Sequence, residues 1–292
     1  MKAVDIQQLT KFYGLARGIR EITFAIEEGE VFGFIGPNGA GKSTTIRILL
    51  NFIHPTSGRA SVFGKDIVRD SLDIRRMVGY LPSEVHYYDD MKAADLLRYS
   101  ASFYGRVDEA RMKRLAEQLD LDLGRKIEKL SFGNRKKVGI IQAMLHAPRL
   151  LILDEPTGGL DPLMQHVFFE MLEEERRKGV TVFFSSHILS EVQKICDRVA
   201  IIKQGELLQV ESISNLTRNR FKNVTVTLES EARDDSFRLA GIINQERKGK
   251  ELRLLFGGDI RQLLSELHKM PLTDVRIEEP SLEEVFMHYY ER

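Results

Sequence analysis

The chain has 292 residues, enough at about 100–200 residues per domain for one large domain or two of ordinary size, with a core that needs no staples. Lys+Arg and Asp+Glu both number 43, and a net charge of zero excludes a protein held to nucleic acid by bulk positive charge, so no nucleic-acid partner is expected. A single cysteine, Cys196, excludes an internal disulfide framework; the longest apolar runs are stubs far below the ~18–20 residues of a spanning helix, and MKAVDIQQLTK has no signal-peptide core, so the expected location is cytoplasmic.

In chain order, residues 30–35 (EVFGFI) are a compact apolar run that reads as a buried strand. The run enters Gly36-Pro37-Asn38-Gly39-Ala40-Gly41-Lys42-Ser43, a complete G-x-x-x-x-G-K-[ST], and a helix is expected over 43–51, beginning with Ser43 and Thr44. Glycines at 36, 39 and 41 let backbone N–H groups converge on phosphate oxygens, and the helix aims its positive end at the same anion. Lys42 would reach the β- and γ-phosphates, and the Ser43 hydroxyl would ligate Mg²⁺. This pattern with its flanking strand and helix implies nucleoside-triphosphate binding.

Residues 77–81 (MVGYL) are a second strand candidate, followed by helical patterns over 93–104 and 108–120. Residues 150–153 form a buried-type strand ending in Asp154-Glu155, which sets two carboxylates where ligands of open α/β sheets sit. Asp154 is suited to hold Mg²⁺, and Glu155 to polarise the water that attacks a γ-phosphate. Asp161-Pro162 opens the next helix as N-cap and first helical residue. A strand over 180–184 ends near His187, placed for a γ-phosphate contact. This β/α alternation favours a mostly parallel sheet covered by helices on both faces.

The texture changes after about residue 212. Strands are expected over 223–228 and 251–256, a helix over 260–269, a short strand over 275–277, and a last helix from the capping box Ser281-Leu-Glu-Glu284 to near Tyr290. The expected organisation is a domain over 1–212 followed by a small α+β domain over 213–292.

Taken together, these residues resemble one family, the ATPase subunits of ATP-binding cassette (ABC) transporters. The distinguishing element is Leu130-Ser131-Phe132-Gly133-Asn134, similar to the family signature LSGGQ, at the head of a helix expected over 134–146. A serine hydroxyl, a glycine N–H and a helix N-terminus make a second anion cradle. The resemblance covers 1–212 and implies an α/β P-loop NTPase cassette: a mixed, mostly parallel core sheet with a helical signature subdomain over 84–147. It implies ATP and Mg²⁺, and two copies packed head to tail, each sealing ATP between its phosphate loop and the partner's signature. A homodimer is the simplest assembly, with a heterodimer of cassettes as the other. Tyr13 matches the family aromatic that stacks on adenine, and Asp161 in Gly159-Leu160-Asp161 matches the loop that touches the partner protomer.

Two departures stand out. Phe132 and Asn134 replace the usual glycine and glutamine, while Ser131 and Gly133 are intact. In Leu81-Pro82-Ser83-Glu84, Ser83 stands where most relatives have a glutamine that touches Mg²⁺ and senses the membrane partner; Glu84 or a bridging water could substitute. The signature variant, this segment and the ending Pro280-Ser-Leu-Glu-Glu-Val-Phe286 are similar to the branch of bacitracin-type antibiotic, lipid and polysaccharide exporters. The resemblance therefore implies an ATP-hydrolysing subunit bound at the inner membrane face to a separate integral permease. A non-transport cassette ATPase acting on DNA or ribosomes is the alternative. It is disfavoured because no coiled-coil insertion separates phosphate loop from signature, and because only one cassette is present.

Overall fold

The computed structural model describes residues 1–14, 16–105, 107–217, 221–230 and 237–279. The chain divides into two compact units, Met1–Val210 and Glu211–Arg292. The first begins with a long hairpin, β1 (Lys2–Tyr13) and β2 (Ala16–Glu27), then β3 (Val31–Ile35), α1 (Lys42–Leu49), β4 (Ser57–Val62) and β5 (Lys65–Asp66). Next come α2 (Ser71–Met77), β6 (Val78–Leu81), α3 (Ala93–Ser102), α4 (Glu109–Gln118) and α5 (Phe132–Met144). It closes with β7 (Leu150–Asp154), α6 (Pro162–Arg177), β8 (Thr181–Ser186), α7 (Leu189–Ile195), β9 (Arg198–Lys203) and β10 (Glu206–Ser212).

The strand order β10-β9-β3-β8-β7-β6 makes a six-stranded sheet, in which β9, β3, β8, β7 and β6 pair in parallel. Its central strands are short and buried on both faces, which explains why they read as unbroken apolar runs. Side chains alternate across it. Phe32, Phe34 and Phe183 meet Phe24 of β2, with ring centroids 5.2–6.0 Å from it. Phe184 faces the other way, against Phe169 of α6, and Gly33 admits Cys196 and, at a distance no Cβ would tolerate, Val192 of α7.

Helices lie on both faces as expected, and one face carries an antiparallel sheet besides. One face is covered by α6 and α7, but the other packs on α1 together with a separate four-stranded antiparallel sheet, β2-β1-β4-β5. Val4, Ile6, Ile22, Phe24 and Ile26 turn the hairpin's apolar side inward. Sheet-on-sheet packing is the cheaper solution because an amphipathic hairpin of two 12-residue strands must bury one whole face.

The helices start where the sequence supplies caps. Asp108 accepts from Arg111 N at 2.9 Å, Ser131 from Asn134 N at 3.3 Å, and Asp161 from Met164 N at 2.9 Å with Pro162 in the first turn. α3, α4 and α5 all lie within 84–147.

The second unit holds α8 (Ile213–Thr217), β11 (Lys222–Leu228), β12 (Ile242–Lys248), β13 (Glu251–Phe256), α9 (Ile260–Leu267) and β14 (Leu272–Glu278). Its antiparallel sheet runs β12-β13-β11-β14 over a core of Val224, Val226, Leu252, Leu254, Phe256, Leu263 and Leu267. β12 is absent from the sequence reading. As an edge strand of sequence IINQERK it buries little, so no period-2 apolar pattern marks it. The expected last helix and its capping box lie outside the described residues.

Phe32 is fully buried and stacks on Phe24 in the aromatic cluster. Phe32→Ala is expected to destabilise the first unit by ~3–5 kcal/mol, read as a shift in the urea midpoint with unchanged slope.

Candidate active site

Parallel pairing brings three strand ends side by side. Phe34 is in register with Ser185, and Ser185 with Asp154, so the segments leaving β3, β8 and β7 emerge together. Gly36 N donates to the Ser186 carbonyl at 3.4 Å, and Glu155 N to the Ser185 carbonyl at 3.1 Å. Asp154 is buried and accepts from the Ser185 hydroxyl at 2.6 Å. Its charge, with burial as the larger cause, pushes the neighbouring Tyr80 hydroxyl up to about 12.

The phosphate loop wraps the start of α1. Gly36 runs so close beneath the Ile202 carbonyl that a Cβ would collide with it, and Gly41 caps α1 at φ +109°, the left-handed region that favours glycine. No side chain caps α1 and no acidic residue stands in its first turn, so its leading N–H groups are left to an anion. Exposed Pro37, Asn38 and Gly39 form the loop's outer wall, and Ala40 N closes the turn onto the Pro37 carbonyl at 3.1 Å.

Lys42 is only 4% exposed. Its Nζ donates to the Gly36 carbonyl at 2.7 Å and the Pro37 carbonyl at 3.2 Å, and stands 3.2 Å from Glu155 Oε1. His187 Nδ1 is 3.3 Å from the same oxygen. The three residues expected to act on phosphate therefore converge on one carboxylate. Glu155 sits at φ +48°, a sparsely populated conformation for a non-glycine residue, which turns the chain sharply at the end of β7.

Behind the site, Glu191 is buried and accepts from the Thr157 hydroxyl at 2.6 Å and the Ser186 hydroxyl at 2.7 Å, tying the loop after Glu155 to the residue before His187. Tyr13, Asn38, Gly39, Gly41, Lys42, Ser43, Thr44 and Glu155 line one pocket of about 260 Å³, together with Arg17 and Gly18. Those last two were missed, since an isolated Arg-Gly after Tyr13 carries no motif. The Tyr13 ring leans on Gly18, where a Cβ would stand 2.9 Å from it.

Ser131, Gly133 and Asp161 form a second group. Gly133 approaches the Gly159 carbonyl so closely that a Cβ would lie 2.6 Å from it, and the exposed Phe132 ring covers Gly159. Among the described residues no hydrogen bond or ion pair joins this group to the phosphate loop of the same chain. Glu84 is not brought to Asp154. Its side chain is 80% exposed, and its partner is His86 at 3.7 Å.

Lys136 was also missed, because Arg135-Lys136-Lys137 reads as solvated helix surface. Its side chain is instead fully buried, with Nζ donating to the carbonyls of Pro82 at 3.0 Å and Ser83 at 2.9 Å. Burial lowers its pKa to about 8, against the opposing charges of Asp154 and Glu155. A larger groove of about 560 Å³, lined by Tyr88, Tyr99, Phe103 and Tyr104 among others, carries no converging phosphate-binding groups and is not the chemical site.

An uncapped helix start, a buried lysine and a glycine-built loop fit a triphosphate. Ser43 and Asp154 offer oxygen donors to a hard cation that keeps phosphate and water in its remaining positions, as Mg²⁺ does. Fold and site together define a P-loop nucleoside triphosphatase of the cassette type. The family described as "ABC transporter" matches residues 19–158, and "ATP-binding protein DrrA1-3-like, C-terminal domain" matches residues 215–290. The bacitracin transport ATP-binding protein BcrA of Bacillus licheniformis is 35% identical over 234 residues, covering 78% of this chain and 76% of its own. The linearmycin resistance ATP-binding protein LnrL of Bacillus subtilis is 30% identical over 301 residues, covering 97% of each chain. A solved ATP-binding subunit of an ABC transporter superposes with a TM-score of 0.69 at 31% identity, covering 74% of this chain and 92% of that one. A dimeric bacterial ABC transporter cassette shares the fold, with a TM-score of 0.67 at 22% identity over 72% of this chain and 98% of that one. The chain belongs to the ATP-binding, ATP-hydrolysing subunits of ABC transporters.

The buried ammonium of Lys136 gives a stability signature. Its folded pKa lies below its unfolded value of 10.5, so between about pH 8 and 10.5 the unfolded chain binds the extra proton and stability rises with pH. Lys136→Met removes that term. The difference in melting temperature, variant minus wild type, is expected to fall by a few degrees as pH is raised from 7.5 to 10.

Proposed function

We propose that this chain powers a separate membrane permease, as an exporter of antibiotic, lipid or polysaccharide, by closing in pairs on ATP. The observation that carries this reading is the separation of two half-sites on one chain. Lys42, Glu155 and His187 converge at the phosphate loop, while Ser131, Gly133 and Asp161 gather elsewhere with, among the described residues, no hydrogen bond or ion pair to it. A second copy, arranged head to tail, supplies the missing half to each site. Relatives named for bacitracin transport and linearmycin resistance support the exporter reading. The permease is taken to be another chain because no helix among the described residues is long and apolar enough to cross a membrane. The chain would then sit on the cytoplasmic face through that partner.

The roles follow from chemistry and position. Tyr13 stacks on the adenine. The N–H groups from Gly36 to Thr44 and the Lys42 ammonium bind the phosphates. Ser43 and Asp154 hold Mg²⁺, which when bound neutralises phosphate charge; exposed Glu84 and the short Ser83 side chain are left out of that set. Glu155 orients water and accepts its proton, and His187 holds the Glu155 carboxylate and reaches the γ-phosphate. Ser131 and Gly133 cradle the γ-phosphate of the ATP bound to the partner, with Asp161 at the contact between copies. Residues 1–212 form the motor and 213–292 an accessory domain that supports the dimer or its regulation.

Glu155→Gln is expected to bind ATP while turning over at least ~100-fold more slowly, and to accumulate an ATP-dependent dimer on a sizing column. Near-normal turnover would remove Glu155 from its assigned role. Lys42→Ala should weaken ATP binding itself, measured by equilibrium titration. Deleting residues 213–292 should lower dimerisation and ATPase rate in the complex with its permease; unchanged values would refute the accessory role.

A further inference from the structure

The segment Pro82-Ser83 leaves β6 beside the acidic pair, because Leu81 is in register with Leu153 of β7. The same backbone is held from another direction. α5 begins with the Ser131 cap and, on its second turn, presents Lys136, whose Nζ donates to the Pro82 and Ser83 carbonyls at 3.0 and 2.9 Å. Among the described residues no carboxylate stands within 4 Å of that ammonium to neutralise it.

Burying an ammonium without an ion-pair partner is costly, and a methionine of similar length would fill the space without that cost. The position therefore holds a residue that packing alone does not favour. The surroundings are closely packed. At Gly139 a Cβ would lie 2.7 Å from Leu81 and 2.8 Å from the Tyr87 hydroxyl, and at Gly79 it would strike the Ala143 carbonyl. α5 thus sits against residues 79–87 at near backbone contact, with Lys136 as the polar pin at the end closest to the acidic pair. The charges of Asp154 and Glu155 are near enough to act on it.

We propose that Lys136 is a positioning residue for ATP hydrolysis: its ammonium pins the Pro82–Ser83 backbone to the signature helix and holds that backbone beside Asp154 and Glu155. The contact is made through the Pro82 and Ser83 carbonyls, so it does not depend on the Ser83 side chain. Losing the pin leaves the phosphate loop intact, so ATP still binds, but the groups around the attacking water are no longer held in place. The inference rests on the roles proposed above for Asp154 and Glu155.

The test uses the full chain with MgATP. Turnover is measured for wild type, Lys136→Met and Glu155→Gln, alongside titration with a fluorescent ATP analogue. For Lys136→Met the expected result is a kcat at least tenfold lower with KM and analogue affinity within threefold of wild type. A merely structural lysine predicts no such split, and a kcat within twofold of wild type overturns the proposal, as does a KM raised in step with the loss of kcat. If Lys136→Met does not bind the analogue, Lys136→Gln is measured in its place against the same thresholds. An active Lys136→Met beside an inactive Glu155→Gln sinks this inference alone, whereas an active Glu155→Gln sinks the site reading and this inference with it.

Discussion

The register of three parallel strands is the constraint on which the site depends. Because Phe34, Ser185 and Asp154 pair across β3, β8 and β7, the loop that binds phosphate, the acidic pair and His187 leave the sheet at one level. A slip of one residue would turn the buried Asp154 to the opposite face and carry Glu155 away from Lys42. The apolar residues on those strands thereby fix chemistry as well as stability. Phe32, Phe34 and Phe183 hold the register from one side, and the close seat of α7 on Gly33 holds it from the other.

Lys42 and Lys136 are both buried within this frame, and they are handled differently. Lys42 has carbonyls on one side and the Glu155 carboxylate on the other, so its charge is balanced within the chain. Lys136 has carbonyls alone. A charge left unbalanced inside a protein tends to mark work done by that charge, because selection for stability by itself would remove it. The contrast separates a cation that meets the substrate from one that arranges the groups which do.

Much of the site was legible before folding because its chemistry is local. Residues 36–43 and 154–155 are contiguous, and their spacing alone specifies loop, strand end and carboxylates. Asp161-Pro162 and Ser131 likewise announce helix starts through short-range capping. What escaped the sequence depends on tertiary contact. The antiparallel sheet arises from pairing β1 with β4 across some fifty residues. Arg17 and Gly18 reach the pocket only because the hairpin folds over the phosphate loop, and edge strand β12 lacks the alternation that burial would impose. Lys136 is the sharpest case: in the run Arg135-Lys136-Lys137 nothing marks the two lysines as buried, and only the close seat of α5 on residues 79–87 decides it.

The stacking of Phe132 over Gly159 bears on how this surface can change with time. At φ +83° position 159 already favours glycine, and any side chain there would also enter the Phe132 ring. An aromatic residue in the signature is therefore permissible only while residue 159 stays bare. The two positions are sterically coupled, so the aromatic ring at one closes off a side chain at the other. A lineage that has taken up the aromatic residue can alter its partner loop only after giving it back.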